Sequence, residues 1–471
     1  MGTHPPQPKT AEVPRERPTK AMRARASILV ALLWCLALLS LAVIGVLHTA
    51  RLDLLVVKHH GDAIQAHYLA LAGVEKAKAL LYHEARNRSR SRQSHNGELY
   101  NAPQEFRNVA FGRGHFQVIR RGRSDEGGGI IYGVSDEEGR LNLNSATADE
   151  LAKLYGMTPD VVAAIMDWRD EDNAASPGGA EAEFYLSLQP PNLPRNGMLQ
   201  TVRELLMVRG VSPELLLGQD RSQNGLLGIE GIEADNSPGN QGGVLEDAGW
   251  SALLTVNSSA RNLTVAGDDR VNIQTADERT LTSVKGITSE IAKAIIAYRG
   301  QNEFRSLADL LEVTASQNQS ESRPGGSRVA PNNPSGNPSG GPKVVSENLL
   351  MDIADDVTAS ENPDLPGAIN LNSASLDVLT CLPGLNRELA QAILSHRQSS
   401  GYFPNIAWLL KVPGITRDIF KQLAPLVTTR SENFRIVSEG RVDSTGARRR
   451  LEVIVNVGPY AIETLSYRDD L

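Results

Sequence analysis

Cysteine is scarce: Cys35 and Cys381 are the chain's two thiols. That excludes a disulfide scaffold and a cysteine-based zinc finger. Glycine (41) and proline (25) are too few among 471 residues for a collagen-like chain, and 41% apolar residues are too many for a disordered polymer. No G-x-S-x-G, P-loop or H-E-x-x-H pattern occurs, and no acid–base constellation recurs, so an enzyme is not expected. A net charge of −7 gives no overall attraction to nucleic acid, although a local basic face stays open. The length suggests two to four domains.

One long apolar run is present. Residues 27–47 (SILVALLWCLALLSLAVIGVL) contain no charge and as a helix would span about 30 Å, one hydrocarbon core. A basic leader, 1–26, precedes it, with Lys9, Arg15, Arg17, Lys20, Arg23 and Arg25 against Glu12 and Glu16. This flank predicts a cytoplasmic N-terminus and an exported head. A cleaved secretory signal is the other reading, but the run exceeds the usual apolar core of one. We therefore expect a single-pass inner-membrane anchor with its head in the periplasm.

Beyond the span, no proline interrupts the chain before residue 102, and Ile64, Tyr68, Leu71, Val74, Ala77 and Leu81 recur at spacings of three and four. This predicts one helix of about 55–60 residues whose second half packs on a soluble domain. Strand-like stretches follow at His115–Arg120 and Ile130–Val134, and resume at Phe434–Val442, Arg450–Val457 and Thr464–Tyr467. The expected fold is α+β: a long N-terminal helix on a small antiparallel sheet that is split by a large α-helical insertion.

The insertion repeats itself. Counting from Asn142, Asn272 and Asn370, a leucine stands nine residues on (Leu151, Leu281, Leu379) and a glycine fourteen on (Gly156, Gly286, Gly384). Ala-Ile pairs follow at 164–165, 294–295 and 392–393, and arginines at Arg169, Arg299 and Arg397. Each unit reads as a helix-hairpin-helix, with second hairpins at 204–214 and 407–418, where Gly414 forms the turn, and a reduced one at 307–313. In such motifs a G-h-G turn can offer backbone amides to phosphate. Here Thr158, Thr288, Asn386 or Thr416 stands in place of the second glycine, suiting an N-cap instead. Asp160, Glu290, Glu388 and Asp418 beside the turns would repel phosphate. Nucleic acid is thus an unlikely partner, and the three arginines are expected to pair with neighbouring carboxylates.

Predicted segments are 1–26 leader, 27–47 span, 48–135 periplasmic helix and first strands, 136–218 first module, 219–246 linker and 247–314 second module. A linker at 315–345, a third module at 346–429 and closing strands at 430–471 complete the chain. One acidic cluster stands out: Asp167, Asp170 and Asp172, then Glu181 and Glu183 beyond a glycine-containing loop. Oxygen ligands at this spacing suit Ca2+ better than a transition metal; a solvated acidic loop is the alternative. The acids do not recur after Arg299 or Arg397, so a site would be single, structural and not catalytic.

Taken together, SILVALLWCLALLSLAVIG, YLALAGVEKAKALL, GRLNLNSATADEL, IMDWRDEDNAASPGGAEAEFY and PPNLPRNGMLQTVRELLMVRGVSPELL resemble protein K of the general secretion pathway. This is the minor pseudopilin family of type II secretion. The resemblance is close over the first 218 residues and loose over the C-terminal sheet. It implies a pilin-like fold with an inserted helical domain, a place at the pseudopilus tip, and minor pseudopilins I and J with other pseudopilus subunits as partners. It also implies calcium in the inserted domain and processing by a prepilin peptidase between Ala26 and Ser27, where the family usually has glycine before the cut. Ala31 occupies the position at which most pilins carry glutamate; protein K typically lacks that acid too. The alternatives are a membrane-tethered helix-hairpin-helix DNA receptor and a minor pilin of a related type IV pilus. The hairpin modules beyond about residue 250 exceed the usual family length.

Overall fold

The structure, a computed structural model, describes residue 2 and residues 20–91, 97–218, 249–315 and 342–469, with the backbone alone for 20–27, 91 and 124. The junction of Ala26 and Ser27, the leader and most of both linkers therefore lie outside the residues described with side chains. The chain divides into two units, residues 1–64 and 65–471.

In the first unit, every residue from 28 to 61 is exposed. A helix apolar on all sides has no face to give to water, which is the pattern of a membrane span. The N-terminal helix runs Lys20–Ser91, and among the described residues it alone is long and apolar enough to cross a bilayer.

In the second unit, the helix residues from 65 onward pack on a seven-stranded sheet. Its strands are β1 (Val109–Phe111), β2 (Gly114–Arg121), β3 (Ile130–Ile131), β4 (Ser135–Asp136), β5 (Asn433–Val442), β6 (Arg448–Val457) and β7 (Ile462–Arg468). The main path is β1-β2-β5-β6-β7, with β3 on β2 and β4 on β5, all antiparallel. The central strand β5 comes from the far end of the chain, so the sheet is complete only after the insertion has been made. The buried stripe of the helix is Ala66, Leu69, Ala70, Val74, Ala77 and Leu81; it matches the predicted one at Val74, Ala77 and Leu81 and is rotated from it at the start, where Ile64 and Tyr68 are 46% and 63% exposed. The rotation follows from close approach. A Cβ on Gly440 of β5 would collide with the Ala66 carbonyl, and one on Gly73 with Ser438, so small residues on both elements choose the facing side.

The insertion is three modules sharing one core. Each opens with two residues that pair in parallel with a later segment: Leu141–Asn142 with Leu254–Thr255, Val271–Asn272 with Val357–Thr358, and Ile369–Asn370 with Val427–Thr428. These ladders move the boundaries. The first module closes at Thr255, beyond residue 218, and the second at Thr358, beyond residue 314. The helix Glu347–Ile353 accordingly belongs to the second module, giving it a full second hairpin with Leu307–Glu312 where a reduced one was expected. The ends of the predicted linker 315–345 pair within that module, Val344 N–H donating to the Val313 carbonyl at 3.0 Å.

The insertion joins the sheet through Asp136, Glu137 and Glu138, three buried acids just before the first module. Asp136 accepts from Tyr100 (3.2 Å), Asn370 (2.9 Å), Ser431 (2.5 Å) and Ser373, so sheet and third module share one carboxylate. Glu137 accepts from Arg435 on β5 (2.8 and 3.1 Å) and from Thr255, the first module's closing residue (2.5 Å). Burial raises the Glu137 carboxyl, but Arg435 and then Arg140 outweigh it and hold it at about 2. Glu138 moves the other way: burial and then Asp136 raise it well above the ordinary range, and Asn433 only partly offsets them.

Candidate metal centre and hairpin turns

Module one sets its first hairpin with local chemistry. The turn needs a left-handed residue, and Gly156 supplies it at φ 72°; only glycine adopts this without penalty. Gly286, Gly384 and Gly414 do the same at 104°, 73° and 89°, as does Gly210 at 83° in the first module's second hairpin. The residue two places on caps the next helix. Thr158, Thr288, Asn386, Thr416 and Ser212 each accept a backbone N–H three residues ahead, at 2.9–3.3 Å. The hairpins therefore satisfy their own amides, as the missing second glycine predicts. Asp160, Glu290, Glu388 and Asp418 are exposed beside them.

The arginine closing each unit binds backbone carbonyls, where pairing with acids was expected. Arg169 donates to the Leu143 carbonyl (2.5 Å). Arg299 donates to the Ile273 (3.1 Å) and Ala276 (2.6 Å) carbonyls, and Arg397 to Leu371 and Ala374, both at 3.1 Å. Each ties the end of the second helix to the turn ahead of the first, where unpaired carbonyls would otherwise be buried. Arg397 also pairs with a carboxylate as expected, Asp125 at 2.7 Å. The aromatic before each arginine packs against a ring further along: Trp168 edge-on to Tyr185, Tyr298 tilted against Phe304 and His396 stacked on Phe403.

The acidic cluster sits where the first module departs from this frame. Asp167 lies in the helix Pro159–Arg169, fully buried among Ala164, Ile165 and Trp168. Asp170 is the C-cap of that helix, and Glu181 is the N-cap position of the helix Ala182–Leu186. One oxygen from each of the three comes within 4.8 Å of the others. Asp167 accepts from Ser176 N–H at 3.1 and 3.3 Å. Both Glu181 oxygens and Asp170 Oδ1 are buried with no hydrogen-bond donor among the described residues. A Cβ on Gly179 would strike the Asp167 carboxylate, so only glycine lets the loop come this close.

Burial, then Asp170 and Asp167, raises the Glu181 carboxyl; burial, then Asp172 and Asp167, raises that of Asp170. Three carboxylates held this close repel one another when ionised, at a cost of several kcal/mol. A hard dication with oxygen preference fits the orphaned oxygens. Two predicted ligands stand outside. Asp172 is exposed, with Oδ1 accepting from Ala174 N–H at 2.7 Å, and Glu183 is exposed in the first turn of its helix. Their exclusion follows from the helix ends: Asp167 and Glu181 face the core, while Glu183 falls on the opposite side. The legible signal was an acid on the apolar face of the helix, since Asp167 is three residues from buried Ala164.

Residues 136–218 match the family described as Type II secretion system (T2SS), protein K. Residues 267–315 and 367–428 match the helix-hairpin-helix motif. The Endonuclease/exonuclease/phosphatase family domain-containing protein 1 of Bos taurus is 27% identical over 179 residues, 37% of this chain and 25% of that protein. The Homo sapiens protein of the same name is 27% identical over 177 residues, again 37% and 25%. The chain thus spans about a quarter of the length of the curated relatives it matches. The crystal structure of the GspK-GspI-GspJ complex from the type 2 secretion system of enterotoxigenic Escherichia coli aligns with TM-score 0.44 at 12% identity, covering 88% of this chain and 98% of that one.

Proposed function

We propose that this chain, whose residues 136–218 are a type II secretion protein K domain, is a minor pseudopilin that caps and primes a pseudopilus in the inner membrane. The observation that carries the reading is the position of that domain. It is inserted between β4 and β5 of a sheet that packs on the N-terminal helix, and the same helix begins in an apolar span. A helix of this kind can leave the bilayer only by joining a bundle of like helices. A head enlarged by three modules is too bulky to accept a further subunit above it, which suits a tip position. Pseudopilins I and J are the partners in this reading, and a prepilin peptidase would cut between Ala26 and Ser27.

Asp167, Asp170 and Glu181 would hold Ca2+ as a structural staple. Bound Ca2+ would neutralise their mutual repulsion and tie the helix end to the start of the next helix. The internally capped hairpins, with acids beside their turns, favour a packing role for the modules over phosphate binding.

The test is co-purification of the full chain in detergent with the cognate I and J proteins. A stable ternary complex that ignores duplex DNA at physiological salt is the expected result. A chain that stays alone and binds duplex DNA with a steep salt dependence overturns the reading in favour of a tethered DNA receptor.

A further inference from the structure

A cleft of about 490 Å³ opens between the end of the N-terminal helix, residues 260–268 and the turn joining β6 to β7. It is polar, and its charge is lopsided: Arg86, Arg88, Arg90, Arg261 and Arg430 line it against Asp268 and Glu432. Of the two lining carboxylates, Asp268 is exposed and Glu432 is already committed. Glu432 pairs with Arg261 at 3.1 Å. Asp355 behind the wall is shared by Arg430 at 2.9 Å and Arg270 at 3.4 Å. Three guanidiniums thus divide two acids before the helix arginines are counted. Arg88 is half-buried and acts electrostatically on Glu432, the acid that Arg261 already pairs. Arg86 stacks over Tyr82 at 5.7 Å, which positions its guanidinium without neutralising it. Burial, opposed by Asp355 and reinforced by Arg270 and Arg88, holds Arg430 down at about 10.

The last turn of a helix favours basic residues, which accounts for Arg88 and Arg90 as helix-end charges. It does not account for Arg261 and Arg430, which arrive from the start of the second module and the end of the third. Arginine presents a planar fork of donors that matches carboxylate and phosphate oxygens two at a time. The Arg261 fork is held by Asn456 Oδ1 (3.1 Å) and has room because position 458 is glycine: a Cβ there would come within 3.1 Å of its Nη2. The wall is also fixed in place, since Ser89 donates to the Ala266 carbonyl at 2.5 Å and Tyr82 to the Tyr460 carbonyl at 3.2 Å. The volume lies in the range of small-molecule sites.

We propose that this cleft is an oxyanion site that takes a small ligand bearing two or more carboxylate or phosphate groups, held by Arg86, Arg88 and Arg90 on one side and Arg261 on the other. Its ligand would lock the first helix against the junction of the second and third modules.

The full chain in detergent is titrated with citrate and, separately, with inorganic pyrophosphate, each at matched ionic strength, by calorimetry and thermal melting. Saturable binding of either anion with a rise in melting temperature is expected. Citrate alone would identify a polycarboxylate ligand, and pyrophosphate alone a phosphate-bearing one. The R88Q/R90Q variant, altered at one half-buried and one exposed helix position, should weaken binding at least about tenfold, the loss of one strong charge-assisted contact. The R279Q variant, changed on a distant exposed helix, should bind as the parent does. Absence of saturable binding by both anions, or equal affinity in R88Q/R90Q and the parent, overturns the proposal.

Discussion

The first module and the two that follow share a frame and differ in one loop. In the second and third, the residue two after the opening asparagine reaches its ring-bearing partner quickly. Gln274 accepts from Phe304 N–H (3.1 Å) and Asn372 from Phe403 N–H (2.7 Å), 30 and 31 residues on. In the first, Asn144 makes the matching bond to Leu199 N–H (2.8 Å), 55 residues on. The extra length is the stretch after Arg169 that brings Asp170 and Glu181 to Asp167. Ala297 and Ser395 stand where the other modules would carry Asp167. Features present three times, the glycine turn, the capping hydroxyl or amide and the closing arginine, are explained by helix ends and packing. The feature present once is a long loop that brings together carboxylates with buried, donorless oxygens, and it is there that Ca2+ is proposed to bind.

The comparison breaks most sharply at the closing arginine. Arg397→Ala should cost about 2–4 kcal/mol, since it leaves Asp125 with Arg123 alone and strands two carbonyls, whereas Arg299→Ala should cost about 1–3 kcal/mol through its two carbonyls. Denaturant midpoints of the full chain, with hydrogen exchange to assign the module that loosens, would check the order; equal losses would refute it.

The seam acids should separate by sign. The Glu137 carboxyl is held near 2 when folded and lies at its ordinary 4.5 when unfolded. Its contribution of roughly 3 kcal/mol is therefore present above about 4.5 and is lost as pH falls toward 2. Glu138 is raised in the folded chain, so it favours folding most at low pH and loses that contribution as pH climbs through its raised value. Glu137→Gln should thus destabilise at neutral pH far more than Glu138→Gln, as read from melting curves across pH.

Calcium sharpens the single-loop difference. Adding it to chelator-treated protein should raise hydrogen-exchange protection around 167–181 and leave the second and third modules unchanged. Asp167→Asn should abolish the response; protection spread evenly over all three modules would contradict a single site. The smallest effect is expected at the turns. Gly286→Ala, at φ 104° with its new Cβ 2.9 Å from Leu349, should cost about 1–2 kcal/mol. Thr288→Ala should cost about 1 kcal/mol through the lost cap.

Much of this was legible before any coordinates. The apolar run, the spacing from Asn142, Asn272 and Asn370, and the glycine-to-cap distance are local patterns, set by helix period, by left-handed turn geometry and by unpaired helix-end amides. They determine where helices begin and end, and that the hairpins cap themselves. The predicted helix stripe held at Val74, Ala77 and Leu81 and failed at Ile64 and Tyr68, because Gly73 and Gly440 carry no hydrophobic signal, although they decide which side of the helix approaches the sheet. Arg169 and Arg299 were misassigned because a backbone carbonyl leaves no trace in composition, while a nearby acid does; the expected acid was found only for Arg397. The module edges at Thr255 and Thr358 depend on two-residue parallel ladders between segments 113 and 86 positions apart (Leu141 to Leu254, Val271 to Val357), and so short a strand has no periodicity to read. Which of five clustered acids converge, and which arginines from three separate segments share one cleft, depends on the direction of each side chain once distant segments have packed, and that was decided by tertiary structure alone.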